Sequence, residues 1–296
     1  MCGIVGLHLR DPELYPQLGQ LLESMLCGVV ERGPDSAGVA VYGDTRRVPD
    51  GHAAVSVLLP AGTTPEALKD ALAGLAPVVT PAGDTTLVAA PTGVDALVAA
   101  VRTAFPAATV IGSGRDLAVY KGTGHPRALA ETYDLAGARG WQGLAHTRMA
   151  TESAVTPEGC HPFSVGPDQC LVHNGSFSNH ATIRRDLVRE GVTFDSANDS
   201  EVGARFVASR LAQGEDLEKA LLALRETFDG FYTLLVTSAD GFAVVRDPIA
   251  CKPAVIAETD AWVAMASEFR ALASLPGIDA ARLYEPEPGK VYAWTR

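Results

Sequence analysis

The chain has 296 residues, enough to bury a full core as one large domain or two of ordinary size. Apolar residues make up 47% and charged residues 20%, a balance that excludes a disordered or fibrous chain. The formal net charge of -11, with no run of lysine or arginine, sets the protein against nucleic acid and against acidic membrane surfaces.

The opening CGIVGLHL reads as a short apolar strand. Asp11 and Pro12 look like a cap and first turn, after which Leu14, Leu18, Leu21, Leu22, Met25, Leu26 and Val29 recur at helical spacing. Arg32-Gly33-Pro34 stops that helix and Ala37 to Tyr42 resumes as a strand. Residues 49–112 differ in character, with VSVLLP, TPEALKDALAGL, TTLVAAP, VDALVAAVRTAF and TVIG in turn, and read as a small α/β insertion. This stretch carries no clustered titratable side chains, which suits a structural or partner-binding role. Polar, loop-rich segments follow from about 140 to 180, then helical patterns near 179–190, 200–212 and 216–228. The short strands FYTLLVT, GFAVVRD, AVIA, AWVAMA and VYAW end the chain. Strands at both ends with helices between them predict an α+β layered domain with largely antiparallel sheets.

The sequence opens without a basic leader, and no apolar stretch is long enough to span a bilayer. Five scattered cysteines, Cys2, Cys27, Cys160, Cys170 and Cys251, are poor material for a disulfide framework. A reduced, cytoplasmic location is expected.

Cys2 draws attention by its position. Once Met1 is removed, the residue carries a thiol and a free α-amine of much lower basicity than a lysine, so nucleophile and general base sit on one residue. A tetrahedral oxyanion then needs donors. His173-Asn174-Gly175, after the strand-like Gln169-Cys170-Leu171-Val172, offers a side-chain amide and a glycine N–H, although Asn-Gly is also a common turn. Arg148, in His146-Thr147-Arg148-Met149-Ala150-Thr151, suits a carboxylate. Asp199 is either the cap of the helix near 200–212 or an acceptor for a substrate ammonium. Cys160-His161 with Cys170 and His173 lacks the tight paired spacing of a zinc site, and no metal is expected.

Taken in order, Met1-Cys2-Gly3-Ile4-Val5-Gly6, Arg32-Gly33-Pro34-Asp35-Ser36-Ala37-Gly38, His146-Thr147-Arg148, His173-Asn174-Gly175 and Asn198-Asp199-Ser200-Glu201 resemble the class II glutamine amidotransferases. Arg246-Asp247-Pro248 with Lys252-Pro253, and Ala266-Ser267-Glu268, extend the resemblance over nearly the whole chain outside 49–112. It implies a four-layer αββα N-terminal-nucleophile hydrolase fold with two stacked antiparallel sheets, covering 1–296. It further implies Cys2 as nucleophile, Asn174 and Gly175 as oxyanion hole, and Arg148 with Thr151 on the glutamine α-carboxylate. Asp199 falls on the α-ammonium, with Arg32 bracing the nucleophile's strand and His173 as a supporting neighbour. Met149 stands where family members often have Trp, and the 49–112 insertion is absent from the simplest members.

No acceptor domain is recognisable, so the resemblance points to a stand-alone glutaminase subunit in a hetero-oligomer. The subunits that accompany glutamate-synthase-type proteins, including N-methylglutamate synthase, are the most similar. No cofactor is expected in this chain, with flavin and iron–sulfur clusters in its synthase partners. A catalytically inactive regulatory or binding subunit of the same fold is the alternative.

Overall fold

The computed structural model describes residues 2–149 and 155–296. The first elements are β1 (Gly3–Leu9), α1 (Leu18–Gly28), β2 (Ser36–Tyr42), β3 (Ala53–Leu58), α2 (Pro65–Ala71), β4 (Val78–Ala82), β5 (Thr85–Ala90), α3 (Val94–Ala104), β6 (Thr109–Gly114) and β7 (Leu117–Thr123). There follow α4 (Pro126–Thr132), β8 (Gln142–Arg148), β9 (Cys170–Phe177), α5 (His180–Arg189), α6 (Asp199–Ala212), α7 (Leu217–Thr227), β10 (Gly230–Thr237) and β11 (Gly241–Arg246). The chain ends with β12 (Val255–Glu258), β13 (Trp262–Ala266), β14 (Arg282–Tyr284) and β15 (Val291–Thr295).

Strand β1 shows how the layers arise. Its side chains alternate in direction, so Val5, Leu7 and Leu9 join Leu18, Leu22 and Met25 of α1, while Ile4 turns the other way onto Leu235 and Phe242. Gly6 shares the second face. A Cβ there would lie 2.3 Å from Leu235 Cδ2, so the absence of a side chain lets the two sheets close together. The seven-stranded sheet runs β14-β12-β13-β1-β8-β2-β7 and stacks on the four-stranded β15-β11-β10-β9, with every registered pair antiparallel. Helix α1 covers the outer face of the first sheet. Helices α5, α6 and α7 cover the second through Ile183, Leu187, Val202, Val207, Leu221 and Leu224. The fold is α+β, in four layers: helix, sheet, sheet, helix.

Two elements differ from the sequence expectation. The helical pattern before Val29 is split: Pro12–Gln17 is a 3-10 turn capped by Asp11, which accepts the Glu13 N–H at 2.9 Å, and α1 starts only at Leu18. Pro16 lacks an N–H and disrupts the longer α-helical bonding. Residues 142–148, polar enough to read as largely loop, form a complete strand between β1 and β2. Their small and polar residues answer to the layers around them. Gly143 lies under Leu22, and Thr147 Oγ1 donates to Val29 O at 3.2 Å while accepting the Gly3 N–H at 3.2 Å.

Within 49–112, and on to Gly114, the chain builds a third sheet in the order β4-β5-β3-β6. One face carries α2 and α3 through Leu68, Leu72, Leu97 and Val101. The other is packed on the main body, where Leu58 and Ile111 share a core with Leu117 and Val119. Two buried hydroxyls stitch the contact. Ser56 Oγ accepts the Val119 N–H at 3.0 Å, and Thr85 Oγ1 accepts the Lys121 N–H at 2.9 Å and donates to Lys121 O at 3.0 Å. Ser56→Ala should leave a buried amide without its acceptor and lower the unfolding free energy in a urea titration by about 1–3 kcal/mol. A change under about 0.5 kcal/mol would mean that this unit is not firmly seated on β7.

Candidate active site

Cys2 stands immediately before β1, half-buried, where the regular ladder stops. Its backbone carbonyl is therefore met by side chains: Arg32 Nε donates at 3.0 Å and Asn174 Nδ2 at 3.2 Å. Arg32 belongs to the short 3-10 turn after α1, and its Nη1 is held by Glu268 Oε1 at 2.9 Å. Next to Glu268, Ser267 Oγ accepts the Ile4 N–H at 2.9 Å. The start of β1 is thus fixed from α1, from the end of β13 and from the second sheet.

Asn174 and Gly175 do not form a hairpin turn. Both lie inside β9, opposite Thr233 and Tyr232 of β10. Gly175 has φ +143°, and a Cβ there would stand 2.0 Å from Phe231 O, so only glycine fits. An amide nitrogen carries two hydrogens, so Asn174 has a second donor besides the one given to Cys2.

Asp199 is the first residue of α6 and not its cap. That place belongs to Asn198, whose side chain accepts the Ser200 N–H at 2.9 Å. Asp199 Oδ2 instead accepts the Phe177 N–H at 2.9 Å, which ties the helix start to the end of β9. A carboxylate in the first helical turn is favoured by the helix dipole.

Ser200 links this carboxylate to two buried imidazoles that the sequence reading did not join. Its Oγ lies 2.8 Å from His173 Nδ1, 3.0 Å from His161 Nε2 and 3.3 Å from Asp199 Oδ1. The carboxylate only accepts, so the single hydroxyl proton goes to Asp199 and both imidazoles donate to the oxygen. His161 Nδ1 and His173 Nε2 are then bare lone pairs, and both are buried without a partner among the described residues. A third ring, His146 of β8, lies 4.2 Å from His161 between centroids, and His173 stacks on Phe177 at 4.4 Å. Burial dominates their titration. It lowers His146 to about 3, helped by the charges of His173 and Arg148. His173 is lowered to about 4, with Asp199 opposing the shift, and His161 falls well below its ordinary value.

A cleft of about 320 Å³ is lined by Cys2, His173, Asn174, Gly175, Asp199 and Lys252, with Met149, His161, Asn198 and Ser200 completing it. Five of the predicted site residues therefore share one cavity. Arg148 ends β8 beside it, with its guanidinium turned toward the 156–160 loop, where a Cβ on Gly159 would come within 2.9 Å of Nη1. Thr151 lies outside the described residues. Lys252 and Ser200 were within quoted segments yet carried no assigned role, because only the fold brings them to Cys2. Cys160 Sγ donates to Thr156 O, and Cys170 is buried in the inter-sheet core. Among the described residues no group of three or more His, Cys, Asp or Glu side chains is placed to hold a metal ion.

The profile of the glutamine amidotransferase domain matches residues 146–274. The glutamine amidotransferase-like protein GlxB of Rhizobium meliloti is 48% identical over 99% of this chain and 98% of its own length. The chain belongs to the class II glutamine amidotransferase family. A putative glutamine amidotransferase of Methanothermobacter thermautotrophicus is 29% identical to this family member, with 98% of both chains aligned. The solved glutamine phosphoribosylpyrophosphate amidotransferase from B. subtilis superposes with a TM-score of 0.64 at 17% identity, which shows a shared fold. The amidotransferase-family chain aligns over 99% of its residues there but spans only 47% of that protein. Among the described residues no helix is long and apolar enough to cross a membrane.

The buried imidazoles make an acid-sensitive core. Well above pH 6.5, the ordinary histidine value, neither the folded nor the unfolded chain holds a proton on them. Below it the unfolded chain takes up protons that the folded one refuses, so stability present above pH 6.5 is lost as pH falls toward the folded values near 4 and 3. Each histidine contributes up to about 1.4 kcal/mol per pH unit across its window. Urea unfolding at pH 7, 6 and 5 should show the decline, and His146→Leu should flatten it; an unchanged slope would mean that His146 titrates normally.

Proposed function

We propose that this chain hydrolyses L-glutamine to L-glutamate and ammonia through a γ-glutamyl thioester on Cys2, and passes the ammonia to a synthase partner of glutamate-synthase type. The observation that carries the reading is the convergence of Cys2, Asn174, Gly175 and Asp199 on one cleft.

Removal of Met1 leaves Cys2 with a free amine, which accepts the thiol proton as sulfur attacks the side-chain amide carbon. The oxyanion that forms is met by the second hydrogen of Asn174 Nδ2 and by the N–H of Gly175. The carbon–nitrogen bond then breaks, the amine proton leaves with ammonia, and water attacks the thioester with the amine again as base. Asp199, held by Phe177 N–H and Ser200, receives the substrate ammonium. Arg148, at the Met149 edge of the cleft, serves the α-carboxylate together with Thr151. Arg32 keeps the carbonyl of Cys2, and with it the thiol, in place.

Glutamine turnover should require an N-terminal Cys2, checked by intact mass and a coupled glutamate assay. Cys2→Ala should abolish it, and a glutamine-like electrophile should label Cys2 alone. Asn174→Ala should cost on the order of a hundredfold or more in kcat, whereas Asp199→Asn should act mainly on KM. Activity in protein that retains Met1 would overturn the mechanism. A processed protein with no turnover, alone or with its partner, would leave an inactive binding subunit.

Ammonia released into solvent is wasted, so the reading includes a synthase partner in a cytoplasmic hetero-oligomer, with flavin and iron–sulfur centres in the partner and none in this chain. The 49–112 unit is its docking element in this proposal. There β4 is an open sheet edge with Val78 46% exposed, and an open edge invites pairing. Val78→Asp should weaken partner-dependent stimulation of glutaminase activity while leaving the isolated chain unaffected. Normal co-purification and stimulation would remove the insertion from the docking role.

A further inference from the structure

The segment Arg246-Asp247-Pro248 to Lys252-Pro253 is more heavily built than a connecting loop requires. Asp247 is fully buried; its Oδ1 accepts the Tyr232 N–H at 2.8 Å, and Oδ2 accepts the N–H groups of Ile249 at 2.7 Å and Ala250 at 3.2 Å. Arg246, 6% exposed, donates to the carbonyls of Ala250 and Pro286. Ala250 is held at φ +52°, in the left-handed region that a non-glycine residue adopts only when its surroundings compel it. Thr233 Oγ1 then donates to Lys252 O at 2.9 Å. Three side chains, Asp247, Arg246 and Thr233, thus fix a backbone whose outer residues, Ile249 and Cys251, are exposed.

What the loop delivers is Lys252. Its ammonium lies over the face of Phe231, 5.1 Å from the ring centroid, and the residue lines the Cys2 cleft. Among the described lining residues it is the only lysine or arginine, as Asp199 is the only carboxylate. Both charges are felt at His173, which Asp199 makes easier and Lys252 harder to protonate. The cleft therefore offers one fixed anion and one fixed cation, the complement of an amino-acid zwitterion. A cation resting on an aromatic face is positioned at small entropic cost and keeps N–H donors for a second partner.

We propose that Lys252 binds the α-carboxylate of the amino-acid substrate, from the side of the cleft formed by the 247–253 loop and alongside Arg148 at the end of β8. This rests on the glutaminase reading above. The loop motif becomes a scaffold for a substrate contact, and the side-chain carbonyl of glutamine is left pointing to Cys2 while both α-groups are held.

The test uses the full chain beginning at Cys2. Steady-state kinetics are compared for L-glutamine and for its α-amide, which keeps the ammonium and side chain but lacks the carboxylate, with products separated by mass spectrometry. Lys252→Met should raise KM for glutamine on the order of ten- to a hundredfold, as expected for loss of a hydrogen bond to a charged group, with kcat changed by less than about threefold. The preference of the unmodified chain for glutamine over the α-amide should collapse in that variant, and Lys252→Arg should restore most of it. Calorimetric binding of glutamine to Cys2→Ala, with and without Lys252→Met, reads the same contact without turnover. An unchanged KM, an equal loss on both substrates, or a fall in kcat alone would overturn the assignment. Failure of Cys2→Ala to bind glutamine at all would instead remove the glutaminase reading, and this inference with it.

Discussion

One backbone carbonyl organises the site. Cys2 precedes a strand that is buried on both faces and paired on both edges, and at its first residue the ladder has run out. A half-buried carbonyl left without donors would cost about 1–3 kcal/mol. Here Arg32 and Asn174 supply them from opposite sides. Arg32 carries the restraint to Glu268 at the end of β13, and Asn174 carries it to the second sheet. The same two bonds that satisfy Cys2 therefore lock the sheets in register where the cleft opens, and the thiol stands on a rigid platform.

Around that platform the layers meet through omissions as much as through contacts. Gly6 makes room for Leu235 and Phe242, and Gly143 for Leu22. The three imidazoles are buried in different places, His146 on β8, His161 in the loop beside it and His173 under α6 against Phe177, and burial keeps each of them neutral. Neutral rings leave Asp199 as the fixed negative charge at the cleft, supported by the Phe177 N–H and the Ser200 hydroxyl. Burial, which looks like a packing fact, thereby sets the electrostatics in which an ammonium would bind. The 247–253 loop follows the same logic with an irregular backbone, its shape imposed by the buried Asp247 and Arg246.

Much of this was legible in the chain. The alternation in CGIVGLHL, the helical spacing of Leu18, Leu22 and Met25, and the ordered set of short segments from Cys2 to Asn198-Asp199-Ser200-Glu201 gave the layered α+β fold and the family, because each is a local pattern or a fixed order. The third sheet was also visible as alternating strands and helices, since its own core is built from nearby residues. Cys2, Asn174, Gly175 and Asp199, which share one cleft, were singled out by the family resemblance; residue type alone left Asn174-Gly175 open as a turn and Asp199 as a cap.

What only the tertiary structure decided concerns groups whose partners are far away along the chain. Gln142 to Arg148 looked polar, and became a central strand because β1 and β2 pair with it on both sides. Asn198, not Asp199, caps α6, since Asp199 is drawn to the end of β9. The packing of β3–β6 against β7 runs through Ser56 and Thr85, whose partners lie 63 and 36 residues on and leave no periodic trace. His161, His173, Ser200 and Lys252, which share one cleft, and His146 packed against His161, come from two strands, two loops and a helix. Residue type and spacing set which local elements form, while burial and the meeting of sheet faces determine which of those side chains share a cavity and which keep their charge.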